Sequence, residues 1–329
     1  MLEVVPALTR VQLDQTVQAI GSVQARDGAI PELPGGVTNP WNHVEAAMAL
    51  DVGGCSDAAT RAYEWLARTQ QPDGSWAAGY LGSEIVDHTR DSNFSSYVAF
   101  GSWHHFLATG DRCFLELMWP VIERALEFTL ALQLRTGAIA WARDARGTMW
   151  PSALLTSCSC IYMSIRSALL VAAALGRNRP EWELTLATLG KAIRGAGSEF
   201  QPKDRFSMDW YYPVLARVVQ GAEARLRLNE RWESFVIRGR GVRCVSDRPW
   251  VTAGETAELV LALWVAGLHV EANMLLEWVQ HLREDDGAYW IGATFPDGTV
   301  WPRQKPTWGS GAVVLAADAL AGGITARCL

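Results

Sequence analysis

The segment Gln70-Gln71-Pro72-Asp73-Gly74-Ser75-Trp76 ends a helical stretch with a glycine turn and then brings an apolar side chain back toward the protein. Weaker copies of this pattern follow three other helical stretches and begin at Gln24, Gln133 and Arg283. A glycine just past a helix end adopts the left-handed conformation that closes the last turn. We interpret the repeat as a capping device of a repeated helical unit, in preference to a direct chemical role.

Apolar residues recur at helical spacing along most of the chain. The pattern predicts twelve helices, at 7–24, 41–51, 56–70, 92–109, 112–134, 152–175, 180–198, 208–219, 222–231, 252–266, 269–283 and 307–321. Short glycine-centred connections alternate with long ones, and the long ones are 25–40, 71–91, 135–151, 199–207, 232–251 and 284–306. Because short loops force antiparallel neighbours, the sequence predicts six helical hairpins with every long loop at one end.

This layout predicts an all-α fold, an (α/α)6 barrel in which residues 1–329 form a single domain. The second helix of each pair is rich in small and apolar residues, as in 46–50, 169–174 and 313–317. A helix that is apolar on most sides is buried on most sides. We therefore expect the second helices to form an inner ring and the more charged first helices to form an outer ring.

Composition limits the classes of function. The chain has 329 residues, 49% hydrophobic and 19% charged, and a net charge of −6, which gives no reason to expect nucleic acid binding. No apolar run reaches the roughly 18 residues of a membrane span, and residues 1–6 lack the basic start of a signal peptide. The six cysteines show no regular spacing. These features predict a cytoplasmic protein without a membrane span.

The segment 70–76 resembles the Gln/Trp repeat of squalene-cyclase and prenyltransferase toroids. This resemblance implies the toroid fold and, as one alternative, an isoprenoid substrate. The catalytic strings of those families are absent, because the sequence has no Asp-x-Asp-Asp acid, no Asp-Asp-x-x-Asp and no Asp-x-Cys. Asp285-Asp286, which follows Arg283-Glu284, is left as a noncanonical acid for that alternative.

A second stretch, from Trp103 through Thr109-Gly110-Asp111 to Trp119-Pro120, is similar to the central hairpin of six-hairpin glycosidases, the glucoamylase and debranching-enzyme group. In that group the run joins an inner helix to an outer helix. The resemblance implies the same toroid and a sugar substrate. Neither resemblance fixes the reaction, because one fold serves many activities.

The inner helices are expected to point their N-termini toward the long loops. Each N-terminus carries about half a positive charge and free N–H groups, so six together favour acidic side chains or an anionic ligand. Cleavage of a glycosidic bond needs an acid for the leaving oxygen and a second carboxylate. The predicted catalytic pair is Glu255 and Asp91, with Asp209 and Glu45 in reserve.

Aromatic and polar residues near the same helix starts form the predicted substrate-binding set. It comprises Trp41, Asn42, His43, Asn93, Tyr97, Tyr162, Tyr211, Arg248, Trp250, Trp290 and Trp308. Tryptophan beside carboxylates forms stacking platforms for sugar faces or walls around a carbocation. The alternative is that the tryptophans only pack the loops.

Several candidates also have a structural alternative. Asp91 is a possible N-cap, and Thr252 with Glu255 fits a capping box. His43 and Glu45 lie on an otherwise apolar helix and need polar partners or a cavity. Cys158 and Cys160 are expected to be small buried residues. No cofactor and no metal site are predicted, because His104 and His105 are adjacent and point to different faces of their helix.

The leading hypothesis is a carbohydrate-active enzyme that hydrolyses or transfers at a glycosidic bond. The alternatives are a terpenoid cyclase or prenyl-group enzyme and a non-catalytic toroid that binds an acidic metabolite or a partner protein. The predicted partner is thus a small molecule, either a sugar or an isoprenoid. The sequence leaves the oligomeric state open.

Overall fold

The computed structural model describes residues 8–329, so the predicted helix start at residue 7 and the segment before it lie outside the described residues. The helices are α1 Arg10–Val23, α2 Pro40–Val52, α3 Ser56–Thr69, α4 Ser92–Ser96, α5 Val98–Thr109, α6 Arg112–Leu130, α7 Leu155–Ala174, α8 Pro180–Gly195, α9 Ser207–Leu215, α10 Gly221–Glu230, α11 Trp232–Phe235, α12 Ala253–Val265, α13 His269–Trp278, α14 Thr307–Leu320 and α15 Ile324–Cys328, with a 3-10 turn at Val279–Leu282. The protein is helix-rich.

Short strands lie in the long loops. They are β1 Gly79–Leu81, β2 Glu84–Asp87, β3 Arg90–Asp91, β4 Ala142–Arg143, β5 Val236–Ile237, β6 Gly241–Arg243, β7 Trp250–Thr252 and β8 Gly292–Thr294. They form two antiparallel pairs, β1-β2 and β3-β4, and one antiparallel sheet in the order β5-β6-β7-β8. The sequence did not predict these strands, because two or three residues are too few for apolar and polar positions to alternate visibly.

Six helices contact one another in a closed cycle. Helix α2 packs on α5, α5 on α7, α7 on α9, α9 on α12, α12 on α14, and α14 returns to α2. Glycine and alanine permit the last contact to be close, since a Cβ on Gly311 of α14 would lie 3.2 Å from the carbonyl oxygen of Glu45 on α2. These six are the second helices of the predicted pairs.

The first helices of the pairs form an outer layer. Helix α1 packs on α14 and α2, α3 on α2 and α5, α6 on α5 and α7, α8 on α7, α10 on α9, and α13 on α12 and α14. An outer helix packs on the inner ring through one apolar face. In α3, for example, the buried side chains Ala59, Ala62, Trp65 and Leu66 lie on one face. The predicted division into inner and outer helices is confirmed.

The inner helices run in the same direction. Near their N-termini, Tyr97 at the start of α5 contacts Glu45 of α2, and Tyr212 of α9 contacts Glu258 of α12. Near their C-termini, His105 of α5 contacts Asp51 of α2 at 2.8 Å. The long loops that precede the inner helices therefore meet at one end of the ring, as predicted.

The repeated glycine turns connect successive outer helices. Gln70 donates hydrogen bonds from Nε2 to the carbonyl oxygens of Gly74 in its own turn and of Val121 in α6, both at 2.9 Å. Gln24 joins its turn to Ala58 of α3 in the same way, and Gln133 joins its turn to Thr188 of α8. These contacts support the structural interpretation of the repeat. Each turn caps its own helix and also joins it to the next hairpin.

Glycine is required in these turns for two reasons. Gly74 has a φ of +89° and Gly287 a φ of +86°, which side chains other than glycine rarely adopt. A Cβ on Gly74 would also lie 2.1 Å from the carbonyl oxygen of Arg124 in α6, and a Cβ on Gly287 would lie 2.7 Å from the carbonyl carbon of Gln15 in α1. The last turn of the repeat therefore packs on the first outer helix and closes the outer layer.

The helix bounds depart from the prediction at a few places. Helix α9 ends at Leu215 instead of residue 219, because Arg217 adopts a left-handed φ of 59° that a helix cannot continue through. Helix α6 ends at Leu130 instead of residue 134. The short helix α15, which packs on α5 and α14, was not predicted.

Helix α7 has the length and apolar composition of a membrane-spanning helix, but 67% of its most apolar window is buried inside the protein. A core helix of a water-soluble protein has the same properties, so this helix is weak evidence for a span. The expectation that the chain has no membrane span stays a prediction.

Candidate active site

Three glutamates from two inner helices meet at the centre of the ring. Glu45 lies on α2, and Glu255 and Glu258 lie one turn apart on α12. All three are buried. Glu45 and Glu258 line the same cavity, and the charges of both Glu45 and Glu255 raise the pKa of Glu258. The ring thus brings three carboxyl groups within electrostatic range of one another.

Glu258 is held by two phenols. The hydroxyl groups of Tyr211 and Tyr212, adjacent residues of α9, donate hydrogen bonds to its two carboxylate oxygens. Burial raises the pKa of Glu258 well above its ordinary value, and the charges of Glu45 and Glu255 raise it further. Burial in a low dielectric disfavours the charged form of Glu258, while the two tyrosine hydrogen bonds oppose this shift.

Glu45 has one phenol partner. The Tyr97 hydroxyl, at the start of α5, donates to Glu45 Oε2 at 3.2 Å. Burial raises the pKa of Glu45 from 4.5 to about 7, and the Tyr97 hydrogen bond opposes this shift. A carboxyl group with this pKa is protonated in a large fraction of molecules near neutral pH, as a general acid must be.

Glu255 lies one turn closer to the mouth of the ring than Glu258. Its Oε2 atom is buried and has no hydrogen-bond partner among the described residues. The predicted capping box is contradicted, because the Thr252 side chain makes no capping hydrogen bond. Glu255 is therefore not used by the helix cap. A buried carboxylate oxygen without a hydrogen-bond partner reduces the stability of the folded protein. One explanation for such an oxygen is that it binds a ligand.

The cavity beneath the carboxyl groups is small. It encloses about 20 Å³ between Glu45, Glu258, Tyr97 and Tyr212, and the C-terminal residues Thr325 and Leu329 lie at its lower end. A space of this size admits about one water molecule and no sugar ring. A substrate must therefore bind on the mouth side of the glutamates, where Glu255 lies.

Two aromatic side chains flank the mouth. Trp41 is stacked on Phe94 with ring centroids 6.2 Å apart and meets Tyr97 edge-on at 6.0 Å. The Trp308 ring lies directly over Gly254, beside Glu255, because a Cβ on Gly254 would lie 2.1 Å from the ring. Both tryptophans are partly exposed. Two partly exposed tryptophan rings therefore lie near the carboxyl groups.

Asp91 acts as an N-cap, which is the structural alternative for this residue. Its Oδ1 accepts hydrogen bonds from the backbone N–H groups of Asn93 at 2.7 Å and Phe94 at 3.1 Å. Burial raises the pKa of Asp91 to about 7. The neighbouring Asn93 is buried, and its side-chain oxygen has no partner in the described part of the chain. Asn93 therefore offers a buried acceptor without a partner beside the capping carboxylate of Asp91.

His43 is not placed to bind a substrate, and this prediction is corrected. Its Nδ1 accepts the N–H of Ile30 at 3.0 Å, and Nε2 lies 2.9 Å from the carbonyl oxygen of Ala62. The ring is fully buried, and burial lowers its pKa to about 4. His43 is a neutral core histidine that joins the first long loop to α3.

Asp209 and Tyr162 also lie outside the central site. Asp209 Oδ1 accepts hydrogen bonds from the backbone and hydroxyl of Thr156, and the residue lines a separate cavity with Arg227. Tyr162 packs toward the outer layer, since a Cβ on Gly190 of α8 would lie 3.0 Å from its ring. Sequence position predicted both in the mouth, but the rotation of their helices directs the side chains elsewhere.

The remaining predicted residues are Asn42 on α2 and three residues of the long loops. Asn42 donates to Glu32 Oε1 at 2.7 Å, and Arg248 is exposed. Trp250 donates to the carbonyl oxygen of Trp301 at 2.6 Å. Trp290 donates to Glu284 at 2.8 Å and lines a separate cavity beside α1, of about 650 Å³. Of these four, Trp290 is the one that the structure removes from the mouth.

Glu258 and Tyr212 are the residues that the prediction of the site did not include. The signal for Glu258 was present, because it lies three positions after Glu255 on an apolar helix and therefore on the same face. Tyr212 follows Tyr211 directly, and adjacent residues seldom converge on one group. Their joint contact with Glu258 depends on the crossing of α9 and α12, which the sequence does not specify.

Within residues 8–329 no group of three or more His, Cys, Asp or Glu is arranged to hold a metal ion. The cysteines are free. Cys158 and Cys160 are fully buried, as expected for small core residues, and burial raises the pKa of both thiols. The side chains gathered at the candidate site are carboxyl groups, phenols and aromatic rings.

Comparison with known proteins finds a mannosidase that matches most of the chain. The chain is 50% identical over 313 residues to the MMP endo-(1,4)-3-O-methyl-alpha-D-mannosidase of Mycolicibacterium hassiacum, an alignment that covers 95% of this chain and 87% of the relative. No family model matches the chain.

Solved structures share the fold at low sequence identity. A wild-type glycosidase is 15% identical with a TM-score of 0.76 and covers 95% of this chain and 98% of its own. A D-mannose isomerase has 11% identity, a TM-score of 0.68 and coverages of 93% and 96%. The rhamnosidase from Klebsiella oxytoca has 16% identity, a TM-score of 0.65 and coverages of 93% and 63%. These names lend no support to the isoprenoid alternative. On the strength of the identity to the mannosidase, the chain is a glycoside hydrolase-like enzyme and belongs to the family of the Mycolicibacterium hassiacum MMP endo-(1,4)-3-O-methyl-alpha-D-mannosidase.

Proposed function

We propose that the enzyme hydrolyses internal (1,4) bonds of a chain of 3-O-methyl-α-D-mannose units. The observation that carries this proposal is the identity of 50% across 95% of the chain to a relative with that activity in its name. The site is compatible with it, because three carboxyl groups and two tryptophans surround a mouth that opens between long loops. We further propose that the closed cycle of six inner helices and its outer layer form an (α/α)6 barrel.

The proposed general acid is Glu45. Its pKa of about 7, raised by burial, keeps a proton available for the leaving oxygen. In the reaction the bond between C1 of one sugar and the bridging oxygen breaks, and the Glu45 proton passes to that oxygen. The Tyr97 hydroxyl fixes the orientation of the acid.

The proposed second carboxyl group is Glu255, which activates the attacking water. Its unpaired Oε2 is the buried carboxylate oxygen among the three that no protein group satisfies. Water gives its proton to this carboxylate and its oxygen to C1, so that the mass of one water is added across the broken bond. Glu258, whose pKa is raised by burial against the opposing effect of the Tyr211 and Tyr212 hydrogen bonds, lines the cavity with Glu45 and supports the pair without touching the substrate.

The experiment is incubation of the protein with a 3-O-methylated (1,4)-linked mannose chain, with an unmethylated chain and with linear isoprenoid diphosphates, followed by mass spectrometry. Internal fragments from the methylated chain are expected, each heavier by one water than the bare sugar units. The Glu255→Gln variant should release none, while Asp209→Asn, the matched acid outside the site, should retain the activity. An intact methylated chain beside a converted isoprenoid would refute the proposal.

A further inference from the structure

Two pairs of tryptophans project from the long loops. Trp141 and Trp150 meet edge to face with ring centroids 4.2 Å apart. Trp250 and Trp301 meet in the same way at 5.8 Å. In each pair the second ring is exposed, with Trp150 at 40% and Trp301 at 60% of its surface. Exposed tryptophan at a loop end contributes nothing to the core and is costly in water, so a binding role is the natural explanation.

The first pair lies over one edge of the ring. The carbonyl oxygen of Trp141 accepts the N–H of Ser92, the first residue of α4, and the N–H of Trp141 donates to Ser152 just before α7. The pair is therefore fixed above the boundary between α5 and α7.

The second pair lies over another edge. Trp250 begins β7, which leads directly into α12, and its indole N–H donates to the carbonyl oxygen of Trp301. Trp301 lies on the loop that leads into α14, and its N–H donates to Gly292 of β8. This pair is fixed above the boundary between α12 and α14.

The two edges are opposite each other. In the cycle α2, α5, α7, α9, α12, α14 the contact of α5 with α7 stands across from the contact of α12 with α14. Packed helices have axes about 8–10 Å apart, so opposite edges of a six-helix ring are separated by roughly 14–17 Å. A line between the tryptophan pairs therefore crosses the mouth above Glu45 and Glu255 over the length of several sugar rings.

We infer that the Trp141–Trp150 and Trp250–Trp301 pairs bind two distant sugar units of one extended, O-methylated chain, one on each side of the bond that is cut. This inference rests on the proposed function and deepens it. The exposed indole faces match the C–H faces of pyranose rings and the methyl groups, which are the apolar parts of such a chain. Contact on both sides of the cleavage point places the bond within the chain and not at its end.

The test compares Trp150→Ala and Trp301→Ala with the wild-type enzyme on a long methylated chain and on the shortest chain that is cleaved. The expected result is a KM about tenfold higher for the long chain with kcat unchanged, and no change for the short one. Leu184→Ala is the matched control, because Leu184 is 68% exposed but lies on the outer helix α8. Equal KM values for all four proteins on the long chain would overturn the inference.

Binding is measured separately by calorimetry in the Glu255→Gln background, with the same long chain as the probe. A Kd raised about tenfold by either tryptophan substitution supports the inference, and an unchanged Kd in both overturns it. If the wild-type enzyme leaves the chain uncut, the proposed function fails, while the calorimetric comparison still decides the binding role of the tryptophans.

Discussion

Glu45 and Glu258 line one buried cavity although they come from different parts of the chain, the first inner helix and the fifth. Burial raises the pKa of both, and phenols from two further inner helices hold them. The ring thus assembles a site from four helices that no local sequence motif would join.

Replacement of Glu255 or Glu45 by glutamine should remove turnover while the fold is kept. Each amide has the shape of the acid but neither accepts nor donates the proton that the reaction requires, so a loss of at least about 100-fold in kcat is expected. The measurement is the rate of fragment release from a methylated chain. Asp209→Asn serves as control, and full activity in both glutamate variants would contradict the assignment.

Stability should depend on pH through Glu45. Its folded-state pKa of about 7 lies above the ordinary 4.5, so between these values the folded state binds more protons than the unfolded state. The free energy of unfolding contributed by this group is therefore fully present below about pH 4.5 and falls as pH rises through 7, by on the order of 3 kcal/mol. In denaturant titrations from pH 4 to 8, the free energy of unfolding of Glu45→Gln should lack this pH-dependent component. A difference in the free energy of unfolding between variant and wild type that stays constant across this pH range would disprove the contribution of Glu45.

Gly254→Ala should displace Trp308 and impair the mouth without unfolding the protein. The added Cβ would lie within 2.1 Å of the indole ring, which is partly exposed and can swing outward. We expect KM to rise and the melting temperature to change little, and the measurements are steady-state kinetics and calorimetry. Gly195→Ala, whose Cβ would meet nothing within 4 Å, is the control. An unchanged KM would show that Trp308 does not contribute to substrate binding.

Gly74→Ala should destabilise the fold and leave the site chemistry alone. The substitution combines a positive φ with a Cβ that would overlap the Arg124 carbonyl of α6, so a loss of about 2–4 kcal/mol is expected. Gln70→Ala, which removes the hydrogen bonds to Gly74 and Val121, should cost less, about 1–3 kcal/mol. Urea titration measures both. Stability equal to wild type in both variants would refute the proposed contact between hairpins.

The order of the helices was predictable because each glycine turn and each apolar face is a local signal. The division into inner and outer layers followed from the Ala-rich second helices. The strands of the loops were not predictable, because their pairing joins segments as distant as β7 and β8. A cytoplasmic location and a single domain remain predictions.

The site was predicted in part. Glu45, Glu255, Tyr97 and Tyr211 do converge, because each lies in the first turns of an inner helix. His43 and Asp209 share that position along the chain but not that direction, since a helix rotates successive side chains by 100°. Each instead forms hydrogen bonds with a residue of another helix, His43 with Ala62 and Asp209 with Thr156. Only the packing of helices distinguishes a side chain in the cavity from one that faces a neighbour.

Hydrolysis within the methylated mannose chain can be followed directly by cleavage in water labelled with ¹⁸O. We expect internal fragments to appear, each new reducing end to carry one ¹⁸O atom, and Glu255→Gln to yield no fragments. An unlabelled chain of unchanged length after incubation with the wild-type enzyme, or fragments that persist undiminished in Glu255→Gln, would contradict this expectation.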